Sequence, residues 1–160
     1  MQESDFLKAA EASHQKFATH TGLDYLREVI ADGTNYPFGD LLNINVVAAG
    51  DGTSVLTAQL SYQFYNPMFR VHGGYLATLM DSSLGSAVLT KLPQGSGAGT
   101  VNLNVSYVRK VDMASGLLTA RAQVQHAGRS MLTATSEITD ASGKLCAHGS
   151  GTFLIYQKSS

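Results

Sequence analysis

Asn66, His72, Gly73, Gly74 and Asp81 fall close together in a segment that is otherwise neutral and mostly apolar. Asp81 is the single carboxylate between Arg70 and Lys91. Burying an unpaired charge is expensive, so its presence needs a cause. Asp81-Ser82-Ser83 has the composition of a helix cap, but the apolar run from His72 to Met80 would then carry neither strand alternation nor a turn. A carboxylate held in a low-dielectric cleft can instead act as a base or a nucleophile. Gly73 and Gly74, next to His72, stand where a helix should begin. Their lack of a Cβ lets a ligand approach the backbone. Free amides there, with the helix dipole behind them, suit an oxyanion or a polarised carbonyl. Taken together, these residue types point to chemistry at a carbonyl.

The elements that must position them are legible in the hydrophobic pattern. Residues 3–32 read as helical, with Phe6, Leu7, Ala10, Phe17, Leu23, Leu26, Val29 and Ile30 at helical spacing. Gly22 and Gly33 punctuate that segment and NYPFG (35–39) breaks it. Alternation predicts a strand through Leu42, Ile44, Val46 and Ala48. It predicts another through Leu56, Ala58, Leu60, Tyr62 and Phe64. His72 to Lys91 lacks a period of two and is long enough for about five helical turns. GSGAG (95–99) reads as a flexible connection. Four further strands follow, with Val101, Leu103, Val105 and Tyr107 on one face of the first. Leu118, Ala120, Ala122 and Val124 line the second, and HAGRS and DASGK form the turns between the rest.

Long antiparallel strands with one polar face need a cover for the apolar one. Only the helix after His72 is apolar nearly all round, the mark of a buried helix. The expected fold is therefore α+β, a curved antiparallel sheet of about six strands wrapped around one long central helix. That is the hotdog arrangement, here with an N-terminal helical extension over 1–35, a core over 36–157 and one domain in all.

Composition excludes several function classes. The 160 residues are 44% apolar and 14% charged, with formal net charge −1. Nothing in that balance attracts nucleic acid or an anionic membrane. Cys146 is the sole cysteine, so neither an internal disulfide nor zinc-type spacing is possible. His14, His20, His126 and His148 show no ligand spacing, and no metal site is expected. The start of the chain lacks the apolar core of a secretory signal. No run reaches the roughly 20 apolar residues of a membrane span, so the cytoplasm is the expected compartment. There is no G-x-S-x-G elbow, and GSGAG leads into an alternating strand rather than the helix a phosphate loop requires.

The spacing of Asn66, His72-Gly73-Gly74 and Asp81, with GTVNLNVSYVRK (99–110) downstream, resembles the PaaI-type hotdog acyl-CoA thioesterases, the phenylacetic acid degradation-related branch. The resemblance covers about residues 36–157. It implies hydrolysis of an acyl-CoA, aryl-acyl or medium-chain, to a free acid and coenzyme A, with no cofactor beyond the coenzyme A of the substrate. In such a site Gly73 offers its N–H to the thioester carbonyl and Asp81 is the catalytic carboxylate. Asn66 positions the acid or the water, His72 orders the loop, and Thr100 places a hydroxyl near the acid. It also implies a homodimer with shared active sites, joined into a dimer of dimers.

Gly74 at the helix mouth, with Lys110, Arg129 and Ser130, are the candidates for meeting the substrate, since the phosphates of coenzyme A need cations and donors. Tyr36, Phe38, Phe64, Tyr65 and Tyr75 are candidates for the acyl end. Gly73 and Asp81 are eight residues apart, about 12 Å along a helix, too far to grip one carbonyl. If both are catalytic they come from different chains. Two alternatives stay open: a hotdog hydratase or dehydratase, and a non-catalytic acyl-CoA or lipid sensor.

Overall fold

A computed structural model describes residues 3–157, apart from the side chains of 3–6, 9, 10, 14 and 157. The side chains of Phe6, Ala10 and His14 therefore lie outside the described residues. The N-terminal segment forms two helices, α1 (Glu3–Thr19) and α2 (Gly22–Asp32). Thr21 caps α2 by accepting from the Asp24 N–H, and Gly33 closes it in the left-handed conformation, φ 61°.

Six strands make one antiparallel sheet: β1 (Ile44–Gly50), β2 (Thr53–Ala58), β3 (Ser96–Tyr107), β4 (Leu118–Ala127), β5 (Met131–Thr139) and β6 (Leu145–Gln157). Their order is β1-β2-β4-β5-β6-β3, which leaves the long β3 on an edge. A short helix, α3 (Pro37–Leu42), precedes β1, and the central helix α4 runs from Gly73 to Leu89. This helix packs against all six strands. The fold is the hotdog arrangement expected from the pattern.

Three local readings need correction. Leu42 ends α3 rather than opening β1, because Pro37 starts a helical turn there and Asn43 stops it at φ 53°. Strand β2 stops at Ala58; Leu60 is still buried, but Tyr62–Phe64 is a 3₁₀ turn capped by Ser61, and Tyr62 is 75% exposed. The GSGAG glycines are not a loose connection. After the turn at Gly95 (φ 75°), Ser96–Gly99 already pair with Leu154–Gln157 of β6.

Helix α4 is held by one face. Tyr75, Leu76, Leu79, Met80, Ser83, Leu84, Ala87 and Val88 are buried against the sheet. Three hydroxyls within that face are mutually satisfied. Ser83 Oγ lies 2.7 Å from Ser136 Oγ and donates to the Met80 carbonyl at 2.8 Å, while Ser54 Oγ donates to the Ser83 carbonyl at 2.8 Å. These bonds fix the rotation and height of α4 against β2 and β5, and buried groups satisfied this way avoid a penalty of about 1–3 kcal/mol each. The other face carries Thr78, Asp81, Ser82, Gly85 and Leu89, each only half-buried. The helix is thus not buried all round, and the expected fully apolar cylinder has one uncovered stripe.

Candidate active site

The mouth of α4 is built by its cap. His72 is extended (φ −62°, ψ 135°) and its Nδ1 accepts the Gly74 N–H at 2.8 Å. With Nδ1 accepting, the neutral ring carries its proton on Nε2. The Tyr75 N–H bonds to the His72 carbonyl at 3.0 Å. Gly73 is left with an N–H that has no protein acceptor among the described residues, at the positive end of a 17-residue helix. Gly74 is a glycine for a packing reason: a Cβ there would stand 3.0 Å from His72 Nδ1. Its amide serves the cap, whereas the Gly73 amide is the one open to a ligand.

Tyr107, which the sequence offered only as a strand residue, belongs to this mouth. Its hydroxyl donates to the Gly73 carbonyl at 3.0 Å. A Cβ on Gly73 would lie 3.3 Å from the Tyr107 Cζ. The spacing of Tyr107 fits strand alternation, and nothing in the sequence distinguishes it from a core position. Asn66 shapes the approach to the helix: its Oδ1 accepts from Met68 N (3.0 Å) and Arg70 N (3.2 Å), winding the 66–70 loop through a left-handed Phe69, φ 54°. Only its Nδ2 remains without a protein partner among the described residues.

Beside the mouth lies an open cleft of about 370 Å³, bounded by Gly73 and Tyr107 and carrying Arg70, Arg109 and Lys110. The sequence reading named Lys110 alone. Arg70 and Arg109 are anchored by single bonds to the carbonyls of Phe69 (2.7 Å) and Leu145 (3.2 Å), and both are exposed. This is a cationic rim suited to a polyanionic group.

The acid forms a second cluster. Asp81 Oδ1 accepts from Thr100 Oγ1 at 3.0 Å, and Oδ2 has no protein partner among the described residues. The β3 register shifts between Thr100 and Asn102, a bulge that re-aims the edge strand beside α4. Asp81 is half-buried rather than enclosed. Arg129 and Ser130 sit on this side too: they form the β4–β5 turn, Ser130 accepts from Ile155 N at 2.8 Å, and the adjoining Met131 pairs with Leu154, which pairs with Gly99. Within one chain the candidates therefore fall into two separate groups, Asn66, His72, Gly73 and Lys110 around the start of α4, and Asp81 with Thr100 further along it, with the Arg129–Ser130 turn two strands from Thr100 in the sheet. Continuous helix from Gly73 to Asp81 keeps the expected separation of about 12 Å.

The aromatic candidates scatter. Tyr75 stacks on Phe64 at 4.3 Å and donates to the Leu42 carbonyl at 2.9 Å, and burial pushes its phenol up to about 12. Tyr65 donates nothing to the mouth; its oxygen accepts from Met113 N at 2.7 Å. Tyr36 and Phe38 are exposed. Among the described residues no group of three or more His, Cys, Asp or Glu is placed to hold a metal, and no helix is long and apolar enough to cross a membrane.

Comparison with known proteins places the chain in a family. A family model for the thioesterase superfamily matches residues 68–147, which span the helix mouth, the acid and the edge strand. A protein of Halobacterium salinarum with an esterase designation is 35% identical over 54% of this chain, and the match spans 61% of that protein's length. Acyl-coenzyme A thioesterase 13 of Homo sapiens is 26% identical over 68% of this chain and 77% of its own. Among solved structures, a phenylacetic acid degradation-related protein of Ralstonia eutropha superposes with a TM-score of 0.73 at 26% identity, covering 81% of this chain and 98% of that one. The chain belongs to the thioesterase superfamily, with a PaaI-type protein among its structural relatives, and so ranks with the thioester hydrolases.

Proposed function

We propose that the protein hydrolyses an acyl-CoA, aryl-acyl or medium-chain, to the free acid and coenzyme A, in sites shared between two copies of the chain. The observation that carries this reading is the pair of half-sites on α4: an unpartnered Gly73 amide at its start and an Asp81 carboxylate, steadied by Thr100, two turns on. Neither half suffices alone. Strand β3 is an unpaired edge with exposed Val101 and Tyr107, and Val108 just beyond it is exposed too. Edge-to-edge pairing of two copies about a two-fold axis would satisfy its backbone. Because the axis reverses the strand, the Tyr107 end of one copy, with Gly73, comes beside the Thr100 end of the other, with Asp81.

In that arrangement the thioester oxygen accepts from the Gly73 N–H of one chain. Asp81 of the other removes a proton from water as the water oxygen bonds to the carbonyl carbon. The tetrahedral oxyanion is held by the amide and the helix dipole. Collapse breaks the C–S bond, and the proton held by Asp81 passes to the departing thiolate. Carboxylate, water and amide suffice for these steps, so we propose the reaction without a metal or redox cofactor; coenzyme A arrives as part of the substrate. A cytoplasmic setting fits the lone thiol of Cys146, which is buried and pushed up by that burial.

Release of free thiol from a panel of aryl-acyl and medium-chain acyl-CoAs tests the proposal. Turnover on at least one member, unchanged by a chelator, is expected. Tight binding without thiol release would instead favour a sensor, and addition of water to an enoyl-CoA a hydratase.

A further inference from the structure

The stripe of α4 that carries Asp81 continues through Gly85 to Leu89, one and two turns further on. There it meets a cavity of about 250 Å³, walled by Phe17, Gly85, Leu89, Ser96, Phe153 and Tyr156 among others. Phe17 belongs to α1, and α1 is tied down at this point. The Phe17 carbonyl accepts from Gly95 N at 3.1 Å, the Ala18 carbonyl accepts from Gln94 Nε2 at 2.6 Å, and the Phe17 ring packs on Tyr25 at 4.2 Å. The N-terminal helix thereby supplies one wall of a mostly carbon-lined space, and Gly85, one turn of α4 beyond Asp81, lines it too.

One atom in that wall is out of place. Ser96 is 2% exposed, and its hydroxyl is the buried side-chain polar atom without a hydrogen-bond partner among the described residues. Leaving such a group unsatisfied costs about 1–3 kcal/mol, and every other buried hydroxyl of α4 and its surroundings is paired: Ser54, Ser83, Thr90 and Ser136 all have partners. A hydroxyl that both gives and receives a bond would satisfy it. Ser96 lies four strand residues from Thr100, the residue that holds Asp81, or about 13 Å along β3. A benzene ring with a para hydroxyl falls well short of that span, whereas an unbranched acyl chain of medium length covers it.

Building on the thioesterase reading, we propose that this cavity is the acyl pocket and that Ser96 selects medium-length straight-chain acyl groups bearing a terminal hydroxyl. Gly85 keeps the passage open: a Cβ there meets only Phe153 Cε1, at 3.9 Å. Tyr156, whose ring lies across Gly97, forms the outer wall.

The test uses the full chain and two readouts. For straight-chain acyl-CoAs from hexanoyl to dodecanoyl and their ω-hydroxy counterparts, kcat/KM should favour the hydroxylated member at one length by about three- to tenfold, the worth of one neutral hydrogen bond. Ser96→Ala should erase that preference, and it should melt no lower than wild type because no hydrogen bond is lost. Gly85→Leu should lower kcat/KM for the medium chains far more than for acetyl-CoA. Calorimetry with non-hydrolysable ω-hydroxyalkyl and alkyl thioethers of coenzyme A measures the same selectivity without turnover. Equal affinity for the two thioethers, a preference that survives Ser96→Ala, or a stronger preference for 4-hydroxybenzoyl-CoA overturns the pocket. Failure of the wild-type protein to release thiol from any acyl-CoA, with thioether selectivity intact, overturns the hydrolase reading and leaves the pocket standing.

Discussion

Asp81→Asn keeps the shape of the side chain and the Thr100 hydrogen bond, since the amide oxygen still accepts. What it removes is the group that takes and returns a proton, so turnover should fall about 100-fold or more. Stability should hold, because a neutral amide is cheaper to half-bury than a charge. Steady-state kinetics with a melting curve check both halves, and near-normal turnover in a folded variant would remove Asp81 from the chemistry. The cations make a different kind of contribution. Lys110→Ala and Arg129→Ala should each raise KM for acyl-CoA by about two- to tenfold, less so at high salt, since exposed charges are screened. An acyl-pantetheine, which lacks the nucleotide phosphates, should show no such change. Equal losses on both substrates would mean that these residues act on the fold instead. At this scale the sequence drew attention to rare residue types in an apolar run, the lone acid and the paired glycines, and these stand on α4 where the pattern put them. It was silent on Tyr107, Arg70 and Arg109, which reach the Gly73 cleft through the fold rather than through any local pattern.

The elements show the same division. Helix α4 was legible because a long apolar run without alternation has few other solutions, and β4 because its alternation is unbroken. Beyond Ala58 the alternation continues into a 3₁₀ turn, so period alone carried the strand too far. In Ser96–Gly99 the glycines hid a strand whose partners lie some sixty residues away in β6. The one-sided burial of α4 was equally hidden, because the uncovered stripe contains Leu89 and small residues that read as core. A titration follows from how α4 is tied to α3. Tyr75 must stay protonated to donate to the Leu42 carbonyl, and burial raises its phenol from the ordinary 10.0 to about 12. The folded state therefore holds this proton more tightly than the unfolded chain. The linked stability is fully present below pH 10 and is lost as the pH climbs towards 12. Chemical denaturation across that interval should show a decline of up to about 2–3 kcal/mol, and Tyr75→Phe should remove that component. An unchanged alkaline slope in Tyr75→Phe would assign it to other groups.

At the scale of the whole molecule, the separation of Gly73 from Asp81 makes a definite demand. Random pairing of Gly73→Val with Asp81→Asn chains makes about half of the dimers mixed. In each mixed dimer one site collects both lesions, while the other receives an intact Gly73 and an intact Asp81. Coexpression of the two inactive proteins under different tags should therefore restore roughly a quarter of wild-type activity. Sequential purification through both tags should raise this towards about half, because the homodimers are removed. A site built within one chain gives no recovery, since every chain carries a lesion. Thiol release by the doubly purified dimer at about half the wild-type rate is the result the shared site predicts; mixed dimers that form and remain inactive would contradict it.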